Sequence, residues 1–219
     1  MGNRSCIWHN SFVTSTNHSL RAVVFDYGRV LSLSPSNADW AALASAAGLD
    51  LPTLMQRYWQ FRDGYDRREV KASQYWAQVA GHDLAENEVT ELIAMDDSQW
   101  TRVNPEMLHL ARRLKESGVK IAILSNMQSD MLKVMRAKFD WLSEFDVQMY
   151  SCEVGMVKPT VEVYLECARR LGVDPDACLF LDDKQPNVTG AEKAGMHALL
   201  FHGQRKEAEK ALKELGVTL

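Results

Sequence analysis

The sequence predicts a doubly wound α/β fold, a parallel sheet wrapped by helices and interrupted early in the chain by a helical insertion. Three observations predict it. Short apolar runs recur at Val23-Val24-Phe25, Val119 to Leu124, Val147 to Tyr150, Cys178 to Leu181 and His197 to Phe201, each of strand length and bounded by turn or polar residues. From Asn104 onward these runs alternate with segments of helical period, the pattern of parallel strands joined by crossover helices. Between the first run and Asn104, residues 36 to 100 carry helical periodicity and no strand.

The 219 residues suit one domain with an insertion, or two small ones. A chain that is 46% hydrophobic and 25% charged has apolar material for a real core. A net charge of −4 disfavours nucleic acid and anionic membranes as partners. No apolar run approaches the ~18 residues of a transmembrane helix. Residues 1–20 read as a loose N-terminal tail, without the apolar stretch of a secretory signal. Met1-Gly2 begins like a myristoylation motif, but Cys6 stands where Ser or Thr is required. The four cysteines form no CxxC pair and the six histidines form no HxxH arrangement. That usage fits a reduced, cytoplasmic setting without a zinc site.

The elements follow in order. Asn37 is placed to cap a helix bearing Trp40, Leu43, Ala44 and Ala47 on one stripe, with Gly48 as its stop. Pro52 opens a second helix carrying Leu54, Tyr58 and Phe61 that ends near Gly64. Ala72 to Ala80, stopped by Gly81, is a third, and Glu86 to Met95 a fourth. Asn104-Pro105 starts a helix ending at Gly118, and further helices cover about 129–138, 160–171, 187–194 and 205–215. Within the insertion, Tyr58 to Arg68 is dense in aromatics and arginine. It is either helix packing with a solvated turn, or a substrate-facing loop that brings Arg62, Asp63, Tyr65, Asp66 or Arg67 to a ligand. The sequence leaves both readings open.

Three strands end in reactive polar residues: Asp26, Ser125-Asn126 and Asp182-Asp183. Lys158 precedes Pro159 at the start of a helix. In a doubly wound sheet the carboxyl ends of the strands face one crevice. Three carboxylates brought together raise one another's pKa unless a cation offsets them. With no His or Cys in the set, that cation is hard and oxygen-seeking, which points to Mg²⁺, with the Gly28 carbonyl as a further ligand. The Ser125 hydroxyl and the amides after it make an anion site at a helix start, to which Lys158 adds positive charge. Together these groups describe a phosphoryl-transfer centre in which Asp26 is the nucleophile and forms an aspartyl phosphate that water hydrolyses.

At these residues the chain resembles the haloacid dehalogenase superfamily. The matching stretches are Val-Val-Phe-Asp26, Ile-Ala-Ile-Leu-Ser125-Asn126, Val-Gly-Met-Val-Lys158-Pro159 and Leu-Phe-Leu-Asp182-Asp183-Lys-Gln-Pro-Asn187, in the family's order. The resemblance covers residues 21 to 201. It implies a Rossmann-like core of residues 21–33 and 101–219, with a small all-helical cap, residues 34–100, inserted after the first motif. It further implies that Asp26 is the nucleophile, that Ser125 and Asn126 hold phosphate, and that Lys158 steadies both. Either Asp182 or Asp183 would ligate Mg²⁺. The implied activity is Mg²⁺-dependent hydrolysis of a small-metabolite phosphomonoester. The stretch Asp26-Tyr-Gly28-Arg29-Val resembles the glucose-1-phosphate phosphatase-like branch, which reads Asp-x-Gly-Asn-Val and implies a sugar phosphate.

One position departs from the family's phosphatases. They carry a second aspartate two residues after the nucleophile as general acid, and here that residue is Gly28. A positioned acid is worth about 10²–10⁴ in rate. Three explanations are open: an acid from the cap (Asp63, Tyr65 or Asp66), a substrate with a good leaving group, or a protein that mainly binds phosphate or a partner. A 2-haloacid dehalogenase is the other enzymatic reading. Those enzymes read Asp-x-Tyr-Gly-Thr and lack the acidic pair, so Asp182-Asp183 argues against it.

Overall fold

The computed structural model describes residues 19–219; residues 1–18, which include Cys6 and most of the expected tail, lie outside the described residues. Leu20, assigned to that tail, is buried, and the Arg21 amide donates to the Ala177 carbonyl at 2.9 Å. Five strands follow: β1 (Ala22–Phe25), β2 (Lys120–Ser125), β3 (Val147–Tyr150), β4 (Cys178–Asp182) and β5 (His197–Leu200). They form one parallel sheet in the order β3-β2-β1-β4-β5. The doubly wound α/β fold expected from the sequence is the fold observed.

Pleating divides each strand between two cores. Val23, Phe25, Ile121, Ile123, Leu179 and Leu181 face one, packed by α6 (Pro105–Glu116), α7 (Ser129–Lys138) and α11 (Arg205–Glu214). Ala22, Val24, Ala122, Leu124, Cys178 and Phe180 face the other, packed by α9 (Val161–Leu171) and α10 (Gln185–Lys193). All four residues of β1 are buried, which explains its uninterrupted apolar run.

Between β1 and α6 lie α1 (Asn37–Ala46), α2 (Leu51–Gln60), α3 (Arg62–Asp66), α4 (Ala72–Ala80) and α5 (Glu86–Gln99). The remaining α-helix, α8 (Ser151–Val154), follows β3. Helix α5 packs against α1 and α4, and α2 against α1 and α4. Tyr58 is their hub, with ring centroids 5.1 Å from Trp40, 4.8 Å from Trp59 and 6.1 Å from Tyr75. The two passages joining this group to the sheet are paired: the Leu33 amide donates to the Arg102 carbonyl at 2.7 Å, and the Asn104 amide to the Leu31 carbonyl at 2.8 Å.

Three expected element ends move, each for a local reason. Ser36, not Asn37, caps α1, because Ser36 and Asp39 exchange backbone-to-side-chain bonds of 2.6 and 3.2 Å. Gly64 does not end a helix; it lies inside α3, and the break falls at Phe61, where φ is −102° and ψ is 0°. Helix α5 runs past Met95 to Gln99, because Asp96, Asp97 and Gln99 are buried among polar partners that hold the extra turn.

Gly190 packs α10 against the segment after Lys158. A Cβ there would meet the Pro159 carbonyl oxygen at 2.5 Å and Tyr164 Cε2 at 3.0 Å. Gly190→Ala should therefore destabilise the protein by about 1–3 kcal/mol through overpacking, read as a lower denaturant midpoint. An unchanged midpoint would show that the segment yields freely.

Candidate active site

Register brings the candidate residues together. Phe25 pairs with Ile123 on one side and Leu181 on the other, so the next residue, Asp26, stands beside Asp182 at the sheet's carboxyl edge. Lys158 comes from the loop before α9. Its ammonium lies 2.8 Å from Asp26 Oδ1 and 2.6 Å from Asp182 Oδ2. Asn126 fixes this loop, accepting from the Lys158 amide and donating to the Lys158 carbonyl, both at 2.9 Å. Burial alone would lower the Lys158 pKa; the charges of Asp182 and Asp26 outweigh it and hold the pKa above its ordinary value. Burial pushes the Asp26 carboxyl up to about 6, against the lowering effect of Lys158 and with the help of Asp182 and Asp183.

Oxygens of Asp26, Asp182 and Asp183 lie within 4.8 Å of one another, an all-carboxylate set that fits a hard divalent cation such as Mg²⁺. The two aspartates of the pair differ. Asp182 is fully buried and its oxygens are engaged by Lys158, by the Lys184 amide at 2.8 Å and by Asn187 Nδ2 at 3.0 Å. Asp183 lines the cavity, and its one described partner is Arg29, whose Nη1 is 3.2 Å from Oδ2. Asp182 is committed to positioning; Asp183 has oxygen to offer an ion.

Ser125 ends β2, is buried and lines the same cavity as Asp26. Helix α7 begins at Ser129, where the sequence predicts it, so three residues separate Ser125 from its first turn. The intervening Met127 amide is already used, donating to Ser151 Oγ at 2.9 Å. An anion site here thus rests on the Ser125 hydroxyl and the loop, not on the first turn of α7.

The cavity holds about 480 Å³ and lies between the sheet edge and the helical insertion, within the size range of small-ligand sites. Trp59, Arg62, Asp63 and Asp66 line it from the insertion; Tyr65 does not. The Tyr65 hydroxyl donates to Asp130 at 2.8 Å and its ring stacks on Tyr75, with centroids 4.6 Å apart. Arg62 is spent on structure: it donates to Asp66 at 2.9 Å, to Asp96 at 3.1 Å, to the Tyr58 hydroxyl and, very closely, to Gln128. Breaking such a buried pair strands its carboxylates at a cost of about 3–5 kcal/mol, which explains why these donors are not spare. Burial raises the Asp66 carboxyl, and Arg62 only partly offsets it. Asp63 is exposed; its carbonyl accepts from the Arg67 amide at 3.0 Å, and no hydrogen bond of its carboxylate is described.

Gly28 needs no glycine for its backbone, with φ −63° and ψ 123°. A Cβ there would meet Trp100 Cζ3 at 3.7 Å, an ordinary contact. Trp100 is held by its carbonyl, which accepts from Tyr27 Oη at 2.8 Å. A Cβ is therefore sterically tolerable at position 28, where it would also lie 3.9 Å from Asp26 Oδ2.

Sequence reasoning gave no role to Asn187, Gln128, Asp96, Trp59 or Trp100. Asn187 had a signal, five residues after Asp182 in the first turn of the next helix. The others are fixed by the bend at Phe61 and by packing between the insertion and the sheet, which periodicity does not report.

The chain belongs to the haloacid dehalogenase-like hydrolases: the model of that family matches residues 7–195. Among curated proteins, bifunctional epoxide hydrolase 2 of Sus scrofa is 28% identical over 222 residues, covering 90% of this chain but only 38% of that relative. The chain thus spans well under half that protein's length. Phosphatase MT3486 of Mycobacterium tuberculosis is 26% identical over 210 residues, covering 90% of this chain and 94% of the relative. Among solved structures, a HAD-family enzyme of Bacteroides thetaiotaomicron, in complex with magnesium and inorganic phosphate, has a TM-score of 0.67 at 17% identity. The match covers 82% of this chain and 93% of that one and shows a shared fold. No helix among the described residues is long and apolar enough to cross a membrane.

Asp97 flanks the Arg62 network, and its carboxyl is pushed from 3.8 to about 7 by burial, then by Asp96 and Asp130. Its folded pKa lies above its unfolded one, so between pH 4 and 7 the folded state keeps a proton that the unfolded chain releases. Stability on this account falls as pH rises through that window. Asp97→Asn should be more stable than wild type at pH 8, with the difference closing near pH 4 in chemical denaturation. A difference independent of pH would contradict the shift.

Proposed function

We propose that the protein is a Mg²⁺-dependent phosphatase that hydrolyses a small phosphate ester through an aspartyl phosphate on Asp26. The observation that carries this reading is the Lys158 ammonium seated between Asp26 and Asp182, with Asp183 at the same cavity. The phosphatase among the relatives, and the magnesium and phosphate bound by the structural neighbour, support it. So does the acidic set, since a dehalogenase has no cation to hold with three carboxylates.

Asp26, Asp183 and the Gly28 carbonyl would hold Mg²⁺. Bound there, the ion supplies neutralising charge for the oxygens of the transferred phosphoryl group. A carboxylate oxygen of Asp26 attacks phosphorus and the ester oxygen leaves with the bond pair. Ser125 and Asn126 hold the phosphoryl oxygens, and Lys158 keeps the Asp26 oxygen aimed. Water then attacks the aspartyl phosphate, releasing inorganic phosphate and restoring Asp26. The five helices from α1 to α5 act as a cap that shields this exchange from bulk solvent.

Gly28 shapes the substrate. No side chain at position 28 protonates the leaving oxygen, and the Asp66 carboxyl is held by Arg62. Asp63 is the remaining acid lining the cavity from the cap. The favoured substrates are esters whose leaving group needs little protonation, such as aryl, acyl or anomeric sugar phosphates.

The test is phosphate release from esters graded by leaving-group acidity, with and without Mg²⁺. Turnover should require Mg²⁺, rise steeply as the leaving group becomes more acidic, and fall at least about a thousandfold in Asp26→Asn. In Gly28→Asp the gain should appear on alkyl esters, by up to about 10²-fold, and not on aryl esters. No turnover of any ester would refute the phosphatase reading.

A further inference from the structure

Arg29 stands where the branch that this motif resembles has a neutral asparagine, and its surroundings are unusual in three ways. Its backbone is left-handed, with φ 61° and ψ 2°, a conformation that long side chains rarely adopt and that asparagine accepts readily. Its guanidinium reaches back over the acidic set, with Nη1 3.2 Å from Asp183 Oδ2. Its Nε is buried without a described hydrogen-bond partner. Arg29 lines the cavity together with Asp26, Gly28 and Asp183.

The distribution of charge gives this arrangement a consequence. Among the described residues, Lys158 ion-pairs with Asp26 and Asp182 and not with Asp183. Arg29 is the described ion-pair partner of Asp183. Asp183 is also the carboxylate with oxygen to spare, since Asp182 is consumed by Lys158, Asn187 and the Lys184 amide. A divalent ion that takes an Asp183 oxygen must displace or share the guanidinium, and two cations a few ångströms apart repel each other.

We infer that Arg29 lowers the affinity of this site for divalent cations by competing with the ion for Asp183. The inference rests on the reading that Asp26 and Asp183 hold Mg²⁺. With Arg29 in place the three carboxylates face two fixed cations; with asparagine they face one. The protein therefore responds to Mg²⁺ over a higher concentration range than the same site with a neutral residue. The side chain of Arg29 is 40% exposed, so solvent screens the competition and the change is moderate.

The experiment is isothermal titration of Mg²⁺ into the full chain, as wild type, Arg29→Asn, Arg29→Lys, Asp183→Asn and the double variant Arg29→Asn with Asp183→Asn. Binding heat is the readout, so no turnover is needed. Arg29→Asn should bind Mg²⁺ about tenfold more tightly. Arg29→Lys, which keeps the charge, should stay within about threefold of wild type. Measured against Asp183→Asn alone as the reference, adding Arg29→Asn should bring no gain. Thermal unfolding of the metal-free proteins checks that all are folded, and asparagine suits the backbone at this position. Equal or weaker binding by Arg29→Asn would overturn the competition. Silent titrations of folded wild type and Arg29→Asn, with no rise in either melting temperature when millimolar Mg²⁺ is added, would overturn the metal-holding reading beneath it.

Discussion

The Lys158 ammonium between Asp26 and Asp182 is the contact on which the site depends. It lies in a side chain only 1% exposed, where an unpaired charge would cost several kcal/mol. Its two carboxylates come from the ends of adjacent strands, β1 and β4, and its own loop is clamped to the end of β2 by Asn126. One interaction thus ties three neighbouring strand ends together. The apolar strands behind them make the pairing strong, because water is excluded on both faces of the sheet. The Asp26 carboxyl, pushed up to about 6, carries the cost of that burial, which charge on the acidic set increases and Lys158 reduces.

A second division of labour follows from this contact. Asp182 is fully occupied and cannot move without breaking the Lys158 pair, the Asn187 bond and the Lys184 amide bond. Asp183, one residue on, points into the cavity with a single described partner. Asp182 closes β4 and Asp183 lies in the bend beyond it, so one is structural and the other is available. The helical insertion repeats this logic. Arg62 is satisfied by Asp66, Asp96, Tyr58 and Gln128, which makes that part of the wall rigid. Trp59, Asp63 and the Lys184 ammonium, which sits 4.4 Å over the Trp59 ring, form the more adaptable rim.

Much of the fold was legible because buried parallel strands cannot hide. Val23 to Phe25 and Cys178 to Leu181 are apolar at successive positions because both faces are covered, and each ends in the residue that enters the site. Asp26, Ser125 and Asn126 could be placed in one crevice from strand ends, and Lys158 from the helix start at Pro159, and all four line one cavity. The choice between Asp182 and Asp183 was illegible, since adjacent identical residues differ only in what their side chains meet. The stretch from Tyr58 to Arg68 was illegible for a related reason. Arginine and aspartate four residues apart look the same on a solvated helix and in a buried network. Only the bend at Phe61 and the arrival of Gln128 and Asp96 from distant segments make it the second. Gly28 was legible as a missing acid, but the neighbouring Trp100 ring was not.

The central claim is that Asp26 becomes covalently phosphorylated, and trapping that species tests it most directly. An aryl phosphate would be turned over with Mg²⁺, quenched in acid and treated with borohydride, which reduces acyl phosphates to alcohols. Peptide mass spectrometry should find the reduced residue at position 26 and nowhere else, and should find none in Asp26→Asn. Sustained phosphate release with Asp26 unmodified, or with another residue modified, would contradict the account.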